Sequence, residues 1–337
     1  MRKFFAIVFI VFGTLPIKSR GQSTAPPLRL IQTIALPNVK GRIDHFNVDI
    51  KHQRLFIAAL DNHTVEVVDL KSGKWVRSIP NVKKPQGVWY VDSLDKLFIA
   101  DGDDADVKVY HGSDLKLITS IKLDLGPDWE AYDPVTKEIY VGYGGEDAGK
   151  NYGELGIINT VTNQHIGDIR TDSHPGAIII GKPGETVLIT APKERQVAVV
   201  DEKTRSIIAK WQTKEDLPVG LALDAAHQRL FVGTRKPPRL LVFDFKSHKL
   251  IASLPTVGLL DGLYFDHARR RIYVSGGEGF VEVYQEIDSD HYQEIAKIPT
   301  GPIARTSLFV PAFNRYYVAV PANGHRGAEI RVYEPEP

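Results

Sequence analysis

One short pattern recurs through almost the whole chain. Arg54-Leu-Phe-Ile-Ala-Ala, followed by Thr64-Val-Glu-Val-Val-Asp-Leu, returns as Lys96-Leu-Phe-Ile-Ala, Glu138-Ile-Tyr-Val-Gly, Thr186-Val-Leu-Ile-Thr, Arg229-Leu-Phe-Val-Gly, Arg271-Ile-Tyr-Val-Ser and Arg315-Tyr-Tyr-Val-Ala. The first residues of successive copies lie 42, 42, 48, 43, 42 and 44 positions apart. A period of this length means that one supersecondary unit, unable to bury both of its faces alone, is stacked against copies of itself. In the first copy four apolar runs, His45 to Val48, Leu55 to Ala59, Val65 to Leu70 and Trp75 to Ile79, are parted by turn residues such as Ser72-Gly73. Four short strands joined by short loops make an antiparallel meander. Several such sheets packed face to face around an axis form a β-propeller, which leaves only short, protected edges.

The count of strands also predicts how the ring closes. The seventh copy supplies only Ser307 to Val310, Tyr316 to Val320 and Glu329 to Tyr333 before the chain ends in Glu334-Pro-Glu-Pro. The stretch Leu28 to Leu36 alternates like a strand and precedes the first full copy, and its Leu-Ile-Gln-Thr-Ile-Ala-Leu-Pro resembles the fourth-strand Leu250-Ile-Ala-Ser-Leu-Pro-Thr. The expected fold is therefore all-β: a seven-bladed propeller of four-stranded antiparallel blades, with the N-terminal strand completing the last blade. The third copy is longer by about six residues, and the excess falls in the glycine-rich stretch Gly144 to Gly153.

These copies, with a Lys/Arg-Leu-Phe/Tyr-Val-Ala/Gly core and a following Val-x-Val-x-Asp strand, resemble the bacterial YVTN-type (YncE-like) β-propeller repeat family over residues 28 to 333. The resemblance implies a seven-bladed propeller of the quinoprotein amine dehydrogenase-like kind and a secreted or periplasmic location. It implies no single activity, since function on such folds lives in the site and not in the scaffold.

The N-terminus reads separately. Arg2 and Lys3 precede an apolar run from Phe4 to Leu15, too short to span a bilayer, with Ser19 and Gly21 offering small residues before Gln22. Residues 1 to 21 are expected to be a signal peptide, 22 to 27 a flexible leader and 28 to 337 a single propeller domain. Removing residues 1 to 21 takes Arg2, Lys3, Lys18 and Arg20 with it, leaving 38 Lys and Arg against 41 Asp and Glu, so the charge changes from +1 to near −3. A mildly acidic domain lacks the basic footprint that phosphate backbones select, and nucleic acid is not an expected partner. With no cysteine, disulfides, thiolate metal sites and cysteine nucleophiles are all absent.

The innermost strand of a propeller blade starts beside the central channel. Counting back from the second-strand landmark places Asp44-His45, Gln86-Gly87, Asp128-Trp129, His174-Pro175-Gly176, Pro218-Val219, Asp261-Gly262 and Arg305-Thr306 at one channel mouth. Convergent ionisable groups in a concavity define a binding site, so Asp44, His45, Gln86, Asp128, His174, Asp261 and Arg305 are the expected ligand-binding residues. Arg305 is the leading contact for a ligand carboxylate or phosphate. The same residue types also cap turns at strand starts, a role the sequence leaves open.

Loops between second and third strands should share that face. They are acidic in the second copy (Asp101, Asp103, Asp104, Asp106) and basic in the fourth and fifth (Lys193, Arg195, Arg235, Lys236, Arg239). Asp101-Gly-Asp-Asp-Ala-Asp invites a calcium reading but lacks the spacing and terminal Glu of an EF-hand loop. Trp89 and Trp129 are expected to pack between blades. There is no H-E-x-x-H, G-x-S-x-G, Walker or dinucleotide signature. Whether the protein is an enzyme stays open; the expected function is a secreted or periplasmic binding module, a monomer with no assigned cofactor, engaging a small molecule, peptide or protein at the mouth. The alternative is a metal-assisted hydrolase of the lactonase type, with Asp44, Asp128 and Asp261 among the carboxylates that would hold the metal.

Overall fold

The structure, a computed structural model, describes residues 25–337. It consists of seven four-stranded antiparallel sheets. Their innermost strands, Phe46–Asp49, Pro85–Val91, Glu130–Asp133, Ile178–Lys182, Asp216–Asp224, Leu260–Asp266 and Ser307–Val310, lie against one another in turn, and the seventh meets the first. The chain is a seven-bladed β-propeller. The expected signal peptide and the first half of the leader, residues 22–24, lie outside the described residues. Among those described, no helix is long and apolar enough to cross a membrane.

Burial follows from this stacking. The second and third strands of each blade are covered on both faces, so Arg54–Ala59 and Thr64–Asp69 are buried almost without interruption, Glu66 included. Phe56, Val65, Val67 and Ile79 of the first blade share one cluster with Val88, Tyr90, Leu97 and Ile99 of the second. Each such side chain contributes about 1.5–3 kcal/mol when fully buried, and the contribution is made between blades. The fourth strands alternate because one face meets water. The turn before each second strand needs one residue with positive φ: Gln53, Asp95, Lys137, Gln228, Arg270 and Asn314 supply it, and Gly184 does so in the fourth blade.

The ring closes as the strand count predicts. Leu28–Leu36 pairs antiparallel with Ala328–Pro335 and is the outermost strand of the seventh sheet. It carries the same irregularity as every other fourth strand. In each blade one residue of that strand is skipped in the pairing with the third, and the skipped residues are Val76, Ile118, Ile166, Ile208, Ile251, Ile295 and, in the closing strand, Ile31. A bulge kinks the outer strand and raises its local twist. Simple alternation would place Leu30 with Ile34 and Leu36, yet Leu30 is 48% exposed and Ile31 packs against the cluster shared with the first blade. Ile34 and Leu36 join Phe46, Leu55 and Ile57 of the first blade, while Leu28 joins Tyr273 and Val281 of the sixth. One strand thus seals two blade interfaces.

Candidate functional site at the channel mouth

Because every innermost strand runs away from the same face, the residues just before it gather at one end of the axial channel. Asp44 is fully buried and accepts a hydrogen bond from Arg42 Nη2 at 2.6 Å. Its other oxygen, Oδ1, lies 3.6 Å from His45 Nε2 and has no hydrogen-bond partner. Asp261 stands between two guanidinium groups: Arg235 Nη2 is 2.9 Å from Oδ1, and Arg305 Nε is 2.9 Å from Oδ2. The second contact is close but misaligned, so Arg305 Nε and Asp261 Oδ2 both keep unused hydrogen-bonding capacity. Arg235 is fixed by a 2.7 Å bond from its Nε to the Leu260 carbonyl. Asp128 Oδ1 and Arg42 Nε are also buried without partners.

Burial dominates the titration of these groups. It pushes the Asp44 carboxyl up to about 6, against the pull of Arg42. It also raises Asp128, helped by the neighbouring Asp44 charge. It lowers His45, favouring the neutral imidazole, and it lowers the Arg305 guanidinium against the opposing charge of Asp261.

The mouth encloses a cavity of about 490 Å³ whose lining includes Arg42, His45, Asp128, His174, Arg235 and Asp261. Asp44 and Arg305 stand behind this wall, joined to it through Arg42 and Asp261. Gln86 does not reach it: the residue is buried, and its Oε1 packs so closely on Gly102 that a Cβ there would sit 2.6 Å away. His174 lines the cavity, but its ring nitrogens face the Pro175 and Gly126 carbonyls at 2.7 and 2.8 Å, so it ties the third and fourth blade entrances together.

Sequence reasoning passed over four residues. Arg42 lies two positions before the aligned ring. Arg235 belongs to a basic rim loop, yet its hairpin folds inward onto Asp261. Trp129 packs between blades as expected, but it also lies against His45, with ring centroids 4.0 Å apart and the planes tilted by 59°. Glu130, the first residue of its strand, faces the axis immediately below. Only Arg235 and Trp129 carried a signal, as a basic residue in a second-to-third-strand loop and as an aromatic beside the aligned Asp128.

The His45–Trp129 pair borders both the mouth and a second cavity of about 470 Å³ along the axis. At the rim, charges pair with one another: Lys193 with Glu146 at 2.8 Å, Lys150 with Asp124 at 2.8 Å and Lys84 with Asp147 at 3.6 Å. The glycine-rich excess of the third blade forms a short 3-10 helix, Gly145–Ala148, on the mouth wall.

Among the described residues, two clusters of acidic side chains, one including a histidine, have the spacing of cation ligands. Asp101, Asp104 and Asp106 form the first, but the Lys108 ammonium sits among them at 2.9, 2.7 and 2.9 Å, so the second blade's acidic loop is neutralised from within. Asp224, His227 and Glu286 form the second, near the opposite ends of the strands, with Arg270 Nη2 already 3.1 Å from Glu286 Oε1. At the mouth, Asp44 and Asp261 face guanidinium groups, and a metal there would share its carboxylates with Arg42, Arg235 and Arg305.

No protein-family model matches the sequence, and no curated protein sequence matches it. Among solved structures the chain is similar to Kuenenia stuttgartiensis hydrazine synthase, with a TM-score of 0.72 and 17% identity over 84% of this chain and 94% of that one. It is similar to the RRP9 WD40 repeats at a TM-score of 0.75 and 11% identity, covering 92% and 98%. A chain of the mitotic checkpoint complex gives 0.77 and 9%, covering 98% of each. At these identities the shared property is the propeller fold.

Proposed function

We propose that this protein is a binding module of the YVTN-type propeller kind, secreted or periplasmic, whose channel mouth takes a carboxylate-bearing small molecule, peptide or protein segment. The observation that carries the reading is the set of buried, unpartnered polar atoms at the mouth: Arg42 Nε, Asp128 Oδ1 and Asp261 Oδ2 belong to residues of its wall, and Asp44 Oδ1 and Arg305 Nε lie directly behind them. Buried polar atoms are nearly always satisfied, so several lacking partners at one mouth point to a group that completes them. The Arg42 and Arg235 guanidinium groups on the wall supply forked donors for a carboxylate, and Asp128 offers an acceptor for an amide or amine of the same ligand. The Arg2-Lys3 start and the apolar run from Phe4 to Leu15 support export. No observation favours the lactonase alternative.

The test is a thermal-shift screen of the purified chain with short peptides bearing free or amidated C-termini, followed by calorimetry. A free carboxylate should stabilise the protein, amidation should weaken the effect, and Arg42→Met or Arg235→Met should weaken it further. Equal responses to free and amidated peptides would end the carboxylate reading. Mass analysis of the exported chain beginning at Gln22 would support export.

A further inference from the structure

Below the His45–Trp129 pair the axial channel opens into the chamber of about 470 Å³, and all seven innermost strands contribute to its wall. The wall is apolar and aromatic, with Trp89, Tyr132, Ile179, Leu223 and Tyr264 among its members. One carboxylic acid interrupts it. Glu130 is 3% exposed, and neither of its carboxyl oxygens has a hydrogen-bond partner. It lies two positions before Tyr132 on one strand, so both side chains turn to the axis. No lysine or arginine lines the chamber, and burial holds His45, its one imidazole, toward the neutral form.

We propose that this chamber binds a small hydrophobic ammonium ion, its charge set on Glu130 and its apolar part against Trp89, Trp129, Tyr132 and Tyr264. Charge decides the class of occupant: an anion would meet an acid and no compensating base, whereas an ammonium meets its counter-charge in a wall that includes four aromatic side chains, the residues that attract cations. Burial, with Asp128 adding to it, pushes the Glu130 carboxyl well above the ordinary range, and a cation arriving with the ligand restores its ionised form. The volume falls within the range of small-ligand sites. The chamber extends along the axis to Tyr132, Leu223 and Phe265, one residue short of the strand ends at Asp133, Asp224 and Asp266, so entry is from the face opposite the mouth. This site is independent of the carboxylate reading above.

The experiment titrates the full chain with hexylammonium, hexanol and hexanoate, following tryptophan fluorescence, since Trp89 and Trp129 stand in the wall, and confirming by calorimetry. Hexylammonium should saturate one site about tenfold or more tightly than hexanol, the size expected for a charged hydrogen bond, and hexanoate should not bind. Glu130→Gln should bring hexylammonium down to the level of hexanol. Leu223→Trp, which fills the chamber and leaves Glu130 intact, should abolish both, while Arg77→Met, on the exposed outer strand Lys74–Ile79, should leave both unchanged. Equal binding of hexanol and hexylammonium, binding of neither, a preference that survives Glu130→Gln, or binding that survives Leu223→Trp would each overturn the proposal.

Discussion

Replacing Lys108 by Met tests whether the acidic loop of the second blade is a salt cage or a vacant cation site. The Lys108 side chain is about nine-tenths buried, with its ammonium among Asp101, Asp104 and Asp106, two of which are themselves buried. Each carboxylate has a further partner: Asp101 accepts the Lys83 and Lys84 backbone N–H groups, Asp106 meets Lys122 Nζ at 2.9 Å, and Asp104 meets Lys83. The cost should therefore sit near the usual range for stripping a buried pair, about 3–5 kcal/mol, and not at the multiple that three abandoned charges would give. Denaturant unfolding at neutral pH measures it, with a melting temperature lower by roughly 5–8 °C as the parallel sign. The pH dependence has a defined direction. Lys108, then Lys83, hold the Asp104 carboxyl down to about 2, so its stabilisation is present above the unfolded value of 3.8 and lost as pH falls toward about 2. The deficit of the variant should be full at neutral pH and should shrink below about pH 4. Calcium should stabilise the variant, which presents three carboxylates without their ammonium, and leave the parent unchanged. A variant as stable as the parent, or a parent stabilised by calcium, would refute the cage.

Deleting residues 28–37 should leave the chain unfolded, because two blade interfaces lose their seal and the Ala328–Pro335 strand becomes a bare edge; circular dichroism showing a parent-like melting transition would refute this. Asp44→Asn should flatten the acid side of the stability curve. The folded pKa of Asp44 is raised to about 6, so its favourable contribution is complete below 3.8 and lost as pH rises through about 6; melts across that window should slope in the parent and not in the variant. Gly87→Ala should destabilise by about 1–3 kcal/mol, since its Cβ would lie 2.1 Å from the Asp128 carbonyl and 2.9 Å from Glu130 Cγ, and urea unfolding reads the loss directly.

The repeat made the architecture legible before any coordinates. Seven copies of one apolar pattern, the last short by a strand, admit few closed arrangements, because each sheet must bury two faces and each edge must be covered. Leu28–Leu36 was legible by elimination and by its likeness to Leu250 and its neighbours; the shared bulge at Ile31 was not, since a skipped residue leaves no mark on a strand's composition. Counting back from the second strands found the mouth residues that follow strand register. It could not find Arg42 or Arg235, because long side chains reach into a site from positions no period assigns.

By itself the sequence determined the number of blades, the manner of closure and which end of the disc carries the polar entrances, all consequences of a local pattern repeated in order. Only the tertiary structure decided which charges meet. It set Lys108 in the acidic loop, turned Gln86 away onto Gly102, placed three arginines over two aspartates, and left Glu130 alone in an apolar shaft. Pairing of this kind depends on distances between blades far apart in the chain, and Coulombic and hydrogen-bond energies change over a few ångströms, a scale that spacing along the sequence does not encode.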